Sequence, residues 1–177
     1  MYTRIFALFL LLSSLASAQL AQESYKLLAT GRTSTMEKEI NEMAASGYRF
    51  AGTMGGQMQG GEIVTIMSRT PLVEGKGRYM YRLLATNRTS TMQKELQEMS
   101  DAGYEFVGET ARGEVIIIME LDVANKDRKR YDYKLLATSR TSTMQQELNE
   151  AVAQGYEFLC VLRRNEIISL LRRPRAR

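Results

Sequence analysis

One short segment is written three times along this chain, and that repetition constrains the fold more than anything else in it. The copies open Y-K-L-L-A-T-G-R-T-S-T-M (Tyr25 to Met36), Y-R-L-L-A-T-N-R-T-S-T-M (Tyr81 to Met92) and Y-K-L-L-A-T-S-R-T-S-T-M (Tyr133 to Met144). With repeats, the architectural question becomes how small units share a core rather than how one large core is built.

Each copy parses as strand, helix, strand, strand. Tyr25 to Thr30 alternates and is rich in apolar residues, then runs into the polar R-T-S-T stretch. Ser34 followed by Glu37 has the spacing of a capping box, repeated as Ser90 with Gln93 and Ser142 with Gln145. Beyond it Met36, Ile40, Met43 and Ala44 form one helical stripe, as do Met92, Leu96 and Met99, and Met144, Leu148, Ala151 and Val152. Gly47, Gly103 and Gly155 then read as helix stops. Second strands are expected at 48–53, 104–109 and 156–162, and third strands at 62–69, 114–121 and 166–172. The connecting loops are Gly-rich in the first two copies, longest at Met54 to Gly61, and tight around Arg163 to Asn165 in the third.

The third strands carry the next inference. A sheet with one wet face alternates apolar and polar residues. Val115-Ile116-Ile117-Ile118-Met119 is apolar throughout, Ile63 to Met67 is nearly so, and Ile167 to Leu171 behaves alike. Both faces of that strand must be covered, one by the copy's own helix and the other by a neighbouring copy. Size agrees: a copy of about 43 residues (131–173) is near the limit at which a domain needs staples or partners. The expected fold is therefore α+β, three tandem β-α-β-β repeats (25–69, 79–121 and 131–173) packed sheet to sheet with helices outside. Pseudo-threefold closure is the simplest symmetry, and one continuous sheet stays open as an alternative. The joints, Thr70-Pro71 to Gly77 and Asp122 to Lys129, read as surface linkers.

The N-terminus has the form of an export signal: Arg4, an apolar run from Ile5 to Leu15, and Ala16-Ser17-Ala18 as a cleavage site, giving a signal peptide over 1–18. The apolar run is shorter than the roughly 20 residues a bilayer requires, although an uncleaved anchor is the alternative. No transmembrane span is expected after cleavage, so the expected location is periplasmic or secreted. The one cysteine, Cys160, excludes an intrachain disulfide and reads as a small core residue. The formal charge is +4, but Arg172, Arg173, Arg175 and Arg177 lie in the closing R-R-P-R-A-R. The high pI describes that end, with 174–177 a solvated basic tail, and no nucleic-acid partner is expected.

The pattern Y-K-L-L, E-L-N-E, G-Y-E-F and a final apolar strand with L-L-R-R resembles a family of small bacterial domains of unknown function with a G-W-E-L signature (domain of unknown function 4177-like). Tyr133 to Arg173 matches best, through Leu148-Asn149-Glu150 and Gly155-Tyr156-Glu157-Phe158; Gly47-Tyr48-Arg49-Phe50 and Gly103-Tyr104-Glu105-Phe106 follow. Tyr stands where that family has Trp, three copies are fused, and an export signal precedes them. The resemblance implies a β-α-β-β fold and no activity, so no functional residue is carried over from it.

Chemistry is sparse. There is no histidine, which removes the Ser-His-Asp and Cys-His nucleophile systems and the commonest metal ligand. Gly55-Gly56-Gln57-Met58-Gln59-Gly60-Gly61 lacks the Lys-Ser/Thr ending of a phosphate loop. The helix carboxylates (Glu37, Glu39, Glu42; Glu95, Glu98; Glu147, Glu150) fall on polar faces, and Asn87-Arg88-Thr89, although a glycosylation sequon, falls in the repeated turn. No metal or cofactor is implied. One surplus feature remains: Arg32, Arg88 and Arg140 stand beside helix N-termini, where the macrodipole disfavours a cation. Either each pairs internally, for instance with Glu105 or Glu157, or it holds an exogenous anion with the hydroxyls of Ser34, Thr35, Ser90, Thr91, Ser142 and Thr143.

These observations point first to an exported non-enzymatic repeat protein, a binding or structural module of the bacterial envelope whose partner is an envelope polymer or protein. The alternatives are an anion or acidic-glycan sensor built on R-T-S-T, and a carboxylate-dependent enzyme in an interrepeat cleft.

Overall fold

In a computed structural model of the chain, residues 24–54, 61–69, 77–111, 114–163 and 167–175 are described. The expected signal segment, the tip over 55–60, most of the first linker, residues 112–113, most of the turn expected around Arg163 to Asn165, and the last two residues lie outside them.

The chain forms three similar units, each a three-stranded antiparallel sheet with one helix. Unit one comprises β1 (Tyr25–Thr30), α1 (Thr33–Ala45), β2 (Tyr48–Met54) and β3 (Ile63–Arg69). Unit two comprises β4 (Tyr79–Thr86), α2 (Thr89–Asp101), β5 (Glu105–Ala111) and β6 (Val115–Asp122). Unit three comprises β7 (Tyr131–Thr138), α3 (Thr141–Ala153), β8 (Glu157–Arg163) and β9 (Ile167–Pro174). The orders are β1-β3-β2, β4-β6-β5 and β7-β9-β8, in three separate sheets, so a continuous sheet is excluded. The third strand of each unit is the central one, flanked on both sides.

Local signals set the elements. Most of the apolar stripe is buried, as Met36, Ile40 and Ala44, Met92 and Leu96, and Met144 and Ala151, but Val152, expected on the third stripe, is exposed because no following unit covers that end of α3 among the described residues. Gly47, Gly103 and Gly155 take φ of 95°, 90° and 83°, a conformation that ends a helix without steric penalty in glycine alone. At the second stop, Tyr104 N–H donates to the Met99 carbonyl and Gly103 N–H to that of Ser100. Each second strand carries a bulge just after its phenylalanine, at Phe50/Gly52, Phe106/Gly108 and Phe158/Cys160.

The apolar central strands are explained by a sandwich that steps along the chain. On β6, Val115, Ile117, Met119 and Leu121 share a core with Met92 and Leu96 of their own helix. Ile116 and Ile118, on the opposite face, join a second core with Met36, Ile40, Tyr48, Ile63 and Met67 of unit one. Ile168 and Leu170 of β9 likewise enter the core of unit two, with Tyr131 and Tyr133. The sheets of units two and three therefore stack their outer faces on the inner face of the preceding unit. The helix of that preceding unit lies along the first strand of the next, α1 beside β4 and α2 beside β7. Among the described residues no comparable contact joins α3 to β1, so these units form an open row rather than a threefold ring.

The C-terminal arginines are part of this fold. The strand β9 runs on to Pro174, Arg173 and Arg175 pair with Asp132 at 2.9 and 2.8 Å, and Arg175 also reaches Asp101. The expected solvated tail beginning at 174 is corrected to this extent: Arg175 is bound down by two carboxylates. The guanidinium of Arg175 is also the leading reason that the Asp101 carboxyl is held below its usual range.

Candidate functional site

Each R-T-S-T stretch begins a helix, two residues earlier than a capping box on its serine requires. Arg32, Arg88 and Arg140 are the extended N-cap residues, and no side chain caps the helix. Ser34, Ser90 and Ser142 sit one step inside, exposed, with Thr35, Thr91 and Thr143 after them. The entry turn is shaped by the threonine closing each first strand. Thr30 and Thr86 Oγ1 each accept from the arginine N–H two residues on at 3.4 Å, and Thr138 does so at 3.2 Å.

The residues that would complete the capping boxes are used elsewhere. Glu37 Oε2 accepts from Leu83 N–H at 2.9 Å, and Oε1 from the Arg82 guanidinium at 2.9 Å. Gln93 donates to the Tyr133 carbonyl at 2.7 Å and accepts from Leu135 N–H at 2.8 Å. One turn further along, Asn41 accepts from Tyr81 N–H and donates to its carbonyl, while Gln97 and Ser100 hold both backbone groups of Tyr131. A line of polar side chains thus closes the outer hydrogen-bonding edge of the next unit's first strand, which would otherwise stand unpaired. In unit three the same line has no strand beside it among the described residues. Gln145 donates to Asn149 at 3.3 Å, and both are exposed.

The second joining element is aromatic. Phe50 packs over Gly108 of the next unit, where an added Cβ would lie 2.7 Å from the ring tip. Its backbone N–H donates to the Tyr81 hydroxyl at 2.9 Å, and Phe106 N–H donates to the Tyr133 hydroxyl at 2.8 Å. The Tyr81 hydroxyl donates in turn to Glu120 at 2.6 Å, and Arg49 forks onto the same carboxylate at 2.9 and 3.2 Å. Burial first, then the Glu120 charge, pushes the Tyr81 phenol far above its ordinary range. Burial raises Tyr133 to about 12. Charges exchange places at the second joint: Glu105 stands where unit one has Arg49, and Arg172 where unit two has Glu120. Arg172 stacks over the Tyr131 ring and binds Glu157.

The three N-cap arginines are exposed, and among the described residues none of their guanidiniums forms an ion pair. The internal pairings expected for them are corrected, because Glu157 is held by Arg172 and Glu105 faces Tyr131. No contact brings the three together. Beside the first, a shallow cleft of about 360 Å³ is lined by Thr33, Ser34, Glu37, Leu83, Leu84, Ala85 and Glu95, and Thr33 Oγ1 donates to Glu114 at 3.4 Å. Carboxylates dominate that surrounding. Cys160 lies at the position of Gly108, and burial, then the Glu109 charge, raises its thiol to about 12, which suits an inert core residue. Among the described residues no group of carboxylates and cysteine could hold a metal, and no helix is long and apolar enough to cross a membrane.

The sequence reading missed the edge-closing line and the aromatic joint. A signal for the first was present: amide or carboxylate side chains recur four residues apart at 37 and 41, 93 and 97, and 145 and 149, a helical spacing that places each pair on one side. Comparisons with protein-family models, curated proteins and solved structures give no match.

Proposed function

We propose that the chain is an exported, non-catalytic repeat protein serving as a structural or binding module of the bacterial envelope. The observation that carries this reading is where the repeated polar side chains go. Glu37, Asn41, Gln93, Gln97 and Ser100 each hold the backbone of a neighbouring unit. Of the other helix carboxylates, Glu42 and Glu98 form solvated pairs with Lys38 and Lys94, whereas Glu95 and Glu147, expected on the polar face, each bury one carboxylate oxygen without a hydrogen-bond partner among the described residues. The repeated chemistry serves joining. The sequence-level likeness to small bacterial domains of unknown function fits the same reading. Protein recovered from the envelope fraction should begin at Gln19 and be crosslinked in a stoichiometric protein complex. Turnover that follows the protein through purification and is lost on one side-chain substitution contradicts the proposal.

The second reading, an anion or acidic-glycan sensor at R-T-S-T, draws on the three exposed arginines without ion pairs. Thermal unfolding with phosphate, sulfate and uronic acids tests it. Stabilisation beyond ionic-strength controls, lost in the triple Arg32→Gln, Arg88→Gln, Arg140→Gln variant, is its expected result. A response equal to the controls discards it.

A further inference from the structure

The joint used twice inside the chain leaves its two halves unmatched at the ends of the row. The outgoing half belongs to unit three. Phe158, the counterpart of Phe50 and Phe106, is 50% exposed, and Val152, the counterpart of the buried Ala44 and Ser100, is 59% exposed. Gln145 and Asn149 satisfy each other for want of a strand. The incoming half belongs to unit one. Among the described residues its edge strand β1 pairs on one side only, with β3. Tyr25 and Leu27 are each 62% exposed, although Tyr81 and Tyr133 are almost wholly buried. Gly52, the counterpart of the glycine that receives Phe50, has open space where a ring would sit.

We propose that copies of this chain associate head to tail, unit three of one copy docking on unit one of the next through the joint already present between units. Phe158 seats over Gly52, the Tyr25 hydroxyl accepts from Phe158 N–H, and Gln145 and Asn149 bind the backbone of Tyr25 and Leu27 along the outer edge of β1. The occupant is argued from continuity: the same strand sequence receives the same helix line at both internal joints, and only a further copy carries both halves. Charge is compatible, because Ser68 takes the place of Glu120 and Arg172, while Glu157 already has Arg172 as its partner. A joint between unlike surfaces propagates, giving a filament or a large ring according to the rotation per unit.

This inference rests on the structural reading and names its partner. Sedimentation equilibrium of the purified chain should show mass rising with concentration by whole copies. Leu27→Asp and Phe158→Asp each block one end and should leave single copies with an unchanged unfolding midpoint. An equimolar mixture of the two should form a one-to-one pair and nothing larger. Gly52→Leu, which fills open space within a copy, should also abolish growth. A wild-type chain that remains a single copy overturns the proposal and leaves the envelope-module reading to a different partner. So does wild-type-like association of either Asp variant, or failure of the mixture to pair.

Discussion

Strands β1, β4 and β7 share almost the same sequence and end in opposite surroundings. Tyr81 is 2% exposed, with its hydroxyl tied between Phe50 N–H and Glu120, whereas Tyr25 is 62% exposed. Leu83 packs against the core of unit one, and Leu27 faces outward. The difference lies in position along the row, since only β4 and β7 have a preceding unit to cover them. An internal joint and an open end are thus two states of one surface, and equivalent substitutions at each should have unequal effects.

The largest inequality is expected at the charge cluster. Arg49→Ala leaves the buried Glu120 carboxylate without its cation and should destabilise the chain by about 3–5 kcal/mol in denaturant unfolding. Glu157→Ala opens a pair whose carboxylate is exposed, and a change of at most about 1 kcal/mol is expected. Equal losses would deny the cluster its role. Next come the paired glycines. Gly108→Leu forces a side chain into the Phe50 ring and should cost about 1–3 kcal/mol, whereas Gly52→Leu should shift the midpoint little in dilute solution.

Alkaline titration sharpens the contrast at the second joint. The Tyr133 phenol, facing Arg172, Glu105 and Tyr131, is raised by burial from 10.0 to about 12. Its contribution is fully present below pH 10 and lost as pH rises through 12, a change on the order of 2–3 kcal/mol. Cys160, raised from 9.0 to about 12, adds loss in the same direction from a lower starting pH. Stability followed from pH 9 to 12 should fall, and less steeply in Tyr133→Phe; a flat profile counts against the buried phenol. The smallest effect is at the edge-closing line. Asn41→Ala should cost about 1 kcal/mol, and Gln145→Ala close to nothing while the end is open.

Much of the fold was legible because its signals are local and stated three times. Helix stripes, the glycine stops and the apolar third strands needed only spacing, and the demand for cover on both faces of Val115 to Met119 led directly to stacked units. Strand order and the helix starts were not as legible. Ser34 and Glu37 have capping-box spacing, but Glu37 is drawn to Leu83 N–H, a partner 46 residues away. Spacing within one helix cannot reveal that competition. Arg175 read as part of a tail because its partners, Asp132 and Asp101, lie on other elements. The candidate arginines were correctly placed at helix starts, and their exposure could not be read from the sequence, since it depends on which carboxylates the folded units bring near.

These units fold by covering one another. Circular dichroism and thermal unfolding of the excised third unit, residues 131–175, in dilute solution decide the point. Stripped of Phe106, Met119 and the α2 edge line, that segment should show no cooperative transition; a sharply melting monomer with native strand and helix content would mean that a unit folds unaided.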